Sequence, residues 1–218
     1  MADRDRILQA ALPHIAFDGW SKKALQAGAE DIGLDPAEAV RAFPGRATDM
    51  IAHHSRMADR LLAEELEELD LAEMRIRDRI AAAVRIRLEA NAEHREAIRR
   101  AITILALPVN AGLSMRLTYR TVDTMWRAAG DTATDWNFYT KRILLAGVYG
   151  STVLFWLNDE SKGFAETWGF LDRRIADVLR VPRATQRLSR LFDCIPNPFS
   201  AVIGRANHGN TRRPPCAS

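Results

Sequence analysis

Apolar residues recur at helical spacing along almost the whole chain. The first apolar face consists of Ile7, Leu8, Ala11, Ile15 and Ala16. It is closed by Asp18-Gly19. Residues three and four positions apart lie on one side of an α-helix, so this spacing predicts a helix. No stretch shows the sustained alternation of a strand, and the pattern therefore predicts an all-α protein.

Helix boundaries are marked by capping residues near the start of the chain. Ser21 can cap a second helix that stops at Gly33, and Asp35-Pro36 opens a short third helix that ends near Phe43. A long amphipathic helix follows from about Thr48 to Leu71. Further helices are predicted at residues 75–90, 95–107, 111–129, 135–157 and 164–179.

The composition divides the chain into four expected parts. We expect a helix-turn-helix part at 1–47 and a helical core at 48–181. A separate amphipathic segment follows at 182–204. The last part, 205–218, is rich in Asn, Arg, Pro and Gly and is expected to be disordered.

The first three helices resemble the opening of the TetR-type regulators, where a helix-turn-helix precedes a long helix. In such proteins the third helix lies in the DNA major groove and carries basic residues. Here that helix carries Asp35 and Glu38, and only Arg41 and Arg46 near it are basic. Because this face would repel phosphate, we predict a degenerate helix-turn-helix that does not bind nucleic acid.

Three central segments resemble a second family. They read Ala-Leu-Pro-Val-Asn at 106–110, Asp-Thr-Met-Trp-Arg-Ala-Ala-Gly-Asp at 123–131 and Asp-Trp-Asn-Phe-Tyr-Thr-Lys-Arg at 135–142. They are similar to the accessory lipid-binding proteins of coenzyme Q (ubiquinone) biosynthesis, which are distant relatives of the TetR regulators. The likeness covers about three quarters of the chain, and its polar and aromatic residues are not those that helix periodicity alone selects.

The resemblance implies a homodimeric TetR-like helical bundle that holds an isoprenoid lipid or quinone in an apolar pocket. It also implies a partner, the di-iron demethoxyubiquinone hydroxylase, to which the quinone is presented. Carried over by position, the docking patch for this partner consists of Asp123, Met125, Asp135, Phe138 and Tyr139.

The segment from Ile143 to Leu157 is apolar all round, but it is shorter than the roughly 20 residues of a membrane span. It is therefore predicted to be a buried core helix surrounded by others. Gly147, Gly150 and Ser151 leave room on one side, which either a neighbouring backbone or a ligand must fill. Together with the resemblance, this favours a lipid site. The expected lining is Leu105, Leu144, Gly147, Val148, Ser151 and Trp156.

The segment from Arg183 to Ile195 has the pattern of a helix that lies on a membrane surface. Its apolar side includes Leu188, Leu191, Phe192 and Ile195, and its cationic side consists of Arg183, Arg187 and Arg190. Residues 173–218 carry nine Arg against two Asp, whereas residues 1–70 carry eight Lys/Arg against fourteen Asp/Glu. The tail is therefore expected to meet an anionic membrane, and a terminal helix packed on its own domain is the alternative.

Catalytic motifs do not stand out in the sequence. It has no phosphate-binding glycine loop, no nucleophile elbow and no Glu-x-x-His pair, and the adjacent His53 and His54 would point about 100° apart on a helix. We expect neither an enzyme nor a metal or cofactor. Two other functions stay open, a ligand-sensing TetR-type regulator and a dimeric scaffold without a ligand.

The sequence begins MADRDRILQA, which has no apolar signal region and no acid-poor presequence. We therefore expect a bacterial-type cytoplasmic protein that is peripheral on the inner face of the membrane.

Overall fold

A computed structural model describes residues 2–71, 73–130 and 136–192, with side chains at 3–71, 73–130 and 140–178. These residues form nine α-helices and no strand, which confirms the predicted fold class. The helices are α1 (Ala2–Asp18), α2 (Lys22–Asp31), α3 (Pro36–Ala42), α4 (Ala47–Glu67), α5 (Ile76–Glu89), α6 (Arg95–Leu105), α7 (Ala111–Ala128), α8 (Trp136–Trp156) and α9 (Ala165–Phe192). Single turns of 3-10 helix precede α6, α7 and α9 at Ala92–His94, Pro108–Asn110 and Lys162–Phe164.

The caps predicted for α2 and α3 are present. Ser21 Oγ accepts a hydrogen bond from the Ala24 amide, and Asp35 Oδ1 accepts one from the Ala37 amide. Each cap satisfies an amide that has no partner within the helix. Helix α2 crosses α1 at Gly28, where a Cβ would lie 2.5 Å from the backbone nitrogen of Ala11. Only glycine permits this close approach.

Two apolar clusters form the core. The first lies among α1–α4, α6 and α7 and includes Trp20, whose indole nitrogen donates to the Ala97 carbonyl. The second lies among α4, α5, α7, α8 and α9. Helix α4 contributes to both, with Met50 in the first cluster and Leu62 in the second. It therefore connects the helix-turn-helix part to the helical core.

Helix α8 is exposed along one side, which corrects the expectation that other helices surround it. The side chains of Ile143 and Leu154 are 72% and 56% exposed, and Gly147 is exposed between them. Its opposite side is buried and includes Leu145 and Trp156. The described helices of one chain therefore cover only part of this apolar helix.

Helix α9 runs to Phe192, so the expected end near Leu179 is wrong. Pro182 removes one backbone hydrogen bond, but its restricted φ is compatible with a helix, which continues through it. The chain divides into two compact units, residues 1–178 and 179–218. Ile195 and the tail that we expect to be disordered lie outside the described residues.

Among the described helices, no single one is both long and apolar enough to cross a membrane. The segments Ala92–Leu105 and Pro108–Ala128 meet the length and composition criteria only as a pair, which is bent by 95°.

Candidate functional site

A cavity of about 320 Å³ lies among α4, α5, α6, α7 and α8. Its lining is mostly apolar. The apolar residues include Ile98, Ala101, Ile102, Leu105, Leu117, Val153 and Trp156. Ala106 and Leu154 also line it and are exposed, so the cavity opens beside them. The deeper wall contains the buried residues His54, Arg87 and Asn91.

The deep wall is held in place by a buried ion pair behind it. Arg87 Nη2 lies 3.3 Å from Asp59 Oδ1, and Thr121 donates from Oγ1 to the same oxygen at 2.8 Å. Arg87 and Asp59 are both more than nine-tenths buried. A buried charge is costly without a partner, so this pair lets a cation lie beside an apolar cavity.

Two other titratable residues of the lining, His54 and Tyr149, are uncharged at neutral pH. Burial, together with the nearby Arg87 cation, lowers the pKa of His54 to about 3. Burial raises the pKa of the Tyr149 phenol above its usual value. Because the Arg87 charge is balanced by Asp59, the wall offers polar atoms and little net charge.

Two of the six predicted lining residues, Leu105 and Trp156, line the cavity. Val148 is buried in the second core cluster, Leu144 is half-buried and Gly147 is exposed. Ser151 is half-buried and donates from Oγ to the Gly147 carbonyl. The cavity is lined instead by Tyr149, Gly150 and Val153 of the same helix. The sequence located the small residues, but it did not indicate which of them faces inward.

Sequence reasoning missed the polar wall. His54, the neighbouring pair Arg87 and Asn91, and Thr121 come from three separate places in the chain, and only the fold brings them together. A local signal existed in Arg87, which lies one turn after the apolar Ala83 and Val84 on the core-facing side of α5. A charged residue on a core-facing side of a helix is rarely buried without a partner.

The predicted docking patch is rearranged by the structure. Met125 is fully buried in the second core cluster, which corrects its assignment to a docking surface. Asp123 is mostly buried and accepts hydrogen bonds of 2.7 Å from both Arg127 and Arg142. Asp135 lies outside the described residues. Phe138 and Tyr139 fall in the first turn of α8, and their side chains are outside the description.

Two motif residues join α7 to α8. Besides the Asp123–Arg142 pair, the Trp126 indole donates from Nε1 to the Lys141 carbonyl at 3.2 Å. The motif at residues 123–131 and the motif at 135–142 are therefore in direct contact. Their polar and aromatic residues hold α8 against α7 at Lys141 and Arg142.

The third helix keeps a negative balance, because its one cation, Arg41, lies near two acids. The Arg41 guanidinium lies 4.0 Å from Asp35 and 3.9 Å from Glu38, both on or beside α3.

At α4, His53 lies 2.6 Å from Asp5, and Arg60 donates to the same carboxylate. Within the described residues, no three His, Cys, Asp or Glu side chains are grouped so that they could hold a metal ion.

The arrangement of α1–α3, the long α4 and the helical core defines a TetR-like fold. A solved TetR transcriptional regulator from Nitrosomonas europaea ATCC 19718 has this fold, with a TM-score of 0.66. The match covers 82% of this chain and 99% of the regulator at 23% identity, and it shows the fold alone.

Within this fold class, the chain belongs to the COQ9 family. The sequence profile of COQ9 matches residues 111–182, which include both motifs that join α7 to α8. Rattus norvegicus "Ubiquinone biosynthesis protein COQ9, mitochondrial" is 37% identical over 84% of this chain and 61% of its own length. The Homo sapiens protein of the same name is 36% identical over 84% of this chain and 59% of its own length. Xenopus laevis COQ9-B is 32% identical over 88% of this chain and 68% of its own length.

The family resemblance predicted from the central segments is thereby confirmed. The chain spans about three fifths of the length of the rat and human proteins. The expectation of a bacterial-type cytoplasmic protein is wrong, because these relatives and that from Drosophila melanogaster are all mitochondrial by name.

Proposed function

We propose that this chain is a non-catalytic lipid-binding protein of ubiquinone biosynthesis. It holds an isoprenoid quinone intermediate in the cavity among α4–α8 and presents it to the demethoxyubiquinone hydroxylase. The observation that carries the proposal is the cavity itself, which is apolar over most of its lining and polar at its deep wall. The names of the relatives support the pathway.

The size of the cavity suits one part of such a lipid. Ligand pockets range over about 300–1,000 Å³, and this one is near the lower limit. A ring and the first part of a chain fit inside, and the rest of a long chain leaves through the opening beside Ala106 and Leu154. Val109 and Met115, which are close in sequence to lining residues Ala106 and Ser114, are 85% and 75% exposed. These exposed apolar side chains support contact of this part of the chain with a bilayer.

Attachment to the membrane is proposed for the second unit of the chain. The helical part of that unit carries Arg183, Arg187 and Arg190, and their charges favour an anionic surface. The apolar residues Leu188, Leu191 and Phe192, with Ile195 beyond the described part, would enter the lipid.

Docking of the hydroxylase is proposed at the start of α8. Of the residues carried over from the family, Phe138 and Tyr139 are on the first turn of this helix. Asp123 supports the patch indirectly, because it binds Arg142 one turn further along α8. Replacing Phe138 and Tyr139 with Ala should weaken hydroxylase binding by a few kcal/mol. Tyr119→Ala, at an exposed aromatic residue of α7, is the matched control.

A homodimer is proposed through the exposed side of α8. Ile143 is apolar and exposed there, and the exposed Gly147, one turn further along α8, allows a second helix to approach closely. In a two-fold dimer the same surface pairs with itself, which suits one helix face. Ile143→Arg should convert dimer to monomer in sedimentation experiments, and an unchanged mass would contradict this interface.

The proposed function is tested by extracting lipid from the purified chain and identifying it by mass spectrometry. An isoprenoid quinone or its precursor should be present in the wild type. Gly150→Leu should remove it, because Gly150 lines the cavity and an added Cβ points into open space. Gly112→Leu is the matched control, since the exposed Gly112 of α7 also has open space around an added Cβ and does not line the cavity. Wild-type extracts without lipid from several expression hosts would refute the proposal.

A further inference from the structure

The turn between α6 and α7 exposes a nearly unbroken run of apolar residues. Residues 106–112 form this turn, which is named the α6–α7 tip. Its exposed residues are Ala106, Leu107, Pro108, Val109, Ala111 and Gly112. Val109 is 85% exposed, and Met115, one turn into α7, is 75% exposed. Folded proteins avoid exposed apolar runs of this kind unless the run serves a contact.

Polar groups of the tip are bonded within the turn. The Asn110 side chain donates from Nδ2 to the Ile104 carbonyl at 2.8 Å. The Asn110 amide donates to the Leu107 carbonyl, and the Leu107 amide donates to the Ile104 carbonyl. Pro108 has no amide hydrogen to satisfy. An unpaired polar group is costly in hydrocarbon, so these internal bonds lower the cost of placing the tip there.

The charges beside the tip are positive. Residues 97–122 include no Asp or Glu and four Arg, namely Arg99, Arg100, Arg116 and Arg120. Arg99 and Arg100 share one acid, Glu96, at 3.3 Å and 3.4 Å. Arg120 shares Asp59 with the buried Arg87, and Arg116 is exposed. Both helices therefore keep a positive balance next to an apolar tip, which suits a bilayer with anionic head groups.

The tip is a convex corner. The segments Ala92–Leu105 and Pro108–Ala128 meet there at a bend of 95°. A protein partner would need a matching hollow to cover this corner, whereas fluid acyl chains take its shape. Leu105 and Ala106 also line the cavity, so a tip held in lipid brings the cavity opening to the bilayer.

We propose that the α6–α7 tip enters the acyl region of an anionic bilayer, with Leu107, Val109 and Met115 among the lipid chains. Three side chains are a weak anchor by themselves, so the tip enters after the second unit has attached the chain. The proposal rests on the proposed function for the membrane as partner and requires no ligand in the cavity. It deepens that function, because it names the element of the first unit that meets the bilayer.

The test holds the full chain at vesicles through a C-terminal hexahistidine tag and a nickel-chelating lipid, so that attachment by the second unit is not required. The vesicles contain phosphatidylcholine and phosphatidylglycerol. Cys194 and Cys216 are changed to Ser, and a fluorophore that responds to polarity is attached to a single new cysteine. The cysteine is introduced by Val109→Cys or, as the matched control, by Ile76→Cys.

Ile76 matches Val109 in chemistry and differs in position. It is apolar, 59% exposed and adjacent to the cations Arg75 and Arg77. It is the first residue of α5, where Arg79 donates to the Ala129 carbonyl just after the C-terminal end of α7. The tip precedes the N-terminal end of α7. The two labels therefore lie beside cations at opposite ends of one helix.

On the tethered chain, the Val109 label should shift its emission to shorter wavelength and lose intensity to spin labels carried on the acyl chains. The Ile76 label should do neither. Adding Leu107→Glu and Met115→Glu should abolish the response of the Val109 label, because a charged side chain enters hydrocarbon only at a large cost. Both residues are exposed, so circular dichroism should show the helix content unchanged.

A Val109 label that stays in water on the tethered chain would overturn the proposal and would leave the tip to a protein partner. Equal responses of the two labels would also overturn it, since the contact would not be specific to the tip. Neither result affects the lipid cavity, which is tested by extraction. A Val109 response on the tethered chain, with no flotation of the untethered chain, would support the tip and refute attachment by the second unit.

Discussion

Arg142 donates a hydrogen bond of 2.7 Å from Nε to the carboxylate of Asp123, and this pair joins α8 to α7. The Arg142 side chain is buried, and Asp123 also binds the exposed Arg127 one turn along its own helix. Asp123 therefore stabilises the part of α8 that follows the proposed docking residues Phe138 and Tyr139. Asp123, which the family resemblance assigns to the docking patch, stabilises α8 through Arg142 in this chain.

The first prediction separates the two bonds of Asp123. Asp123→Ala should lower the free energy of unfolding by about 3 kcal/mol, because it removes a carboxylate from a buried cation. Arg127→Ala removes only an exposed partner and should cost about 0.5 kcal/mol or less. Urea denaturation of the two variants measures both values. Equal small losses would show that the Asp123–Arg142 pair does not stabilise the fold.

The fold was predictable where local chemistry determines it. The Ser21 and Asp35 caps were visible in the sequence and are present in the structure. Met125 was misassigned because the family motif identifies a position and not the direction of its side chain. The expected lining included Gly147, whereas Gly150 lines the cavity, since neighbouring small residues on one helix do not reveal which of them faces a cavity.

The polar wall was beyond sequence reasoning for a different reason. Asp59, Arg87 and Thr121 belong to three helices, and the position of each matters only once those helices are packed. Helical periodicity predicts which side of a helix is buried, but it does not predict which buried polar groups meet. The cavity itself depends on this packing.

The second prediction concerns pH. His54 has a pKa of about 3 in the folded chain and an ordinary value of 6.5 when unfolded. As pH falls below 6.5, the unfolded chain binds a proton that the folded chain does not bind, so folding stability is lost. Between pH 7 and pH 5 this histidine should reduce the free energy of unfolding by about 2 kcal/mol. Urea denaturation of His54→Gln should show a pH dependence weaker by that amount, and an unchanged pH dependence would contradict it.

The third prediction distinguishes the proposed function from a TetR-type regulator. Helix α3 carries Glu38 and is capped by Asp35, and Arg41 is close to both acids. Duplex DNA should therefore bind poorly at physiological salt and without sequence preference. Selection from a random duplex pool measures this, and recovery of a palindromic consensus would favour the regulator.

The fourth prediction concerns the membrane. Arg183, Arg187 and Arg190 should contribute roughly 3 kcal/mol of binding to anionic vesicles at low salt. The chain should float with such vesicles at low salt and less at high salt, because ions screen the attraction. The double change Leu191→Glu and Phe192→Glu should abolish flotation and leave the melting temperature unchanged. A sharp fall in melting temperature would show that this segment packs on protein.

The most direct test of a lipid site among α4–α8 is to locate a bound quinone chemically. A photoreactive isoprenoid quinone is cross-linked to the full chain, and the modified peptides are identified by mass spectrometry. The adducts should fall on the lining residues of two segments, 101–106 at the end of α6 and 149–156 of α8, because both segments contribute to the cavity wall. Gly150→Leu should remove them. Adducts that fall mainly on α1–α3, or that persist in Gly150→Leu, would contradict the account.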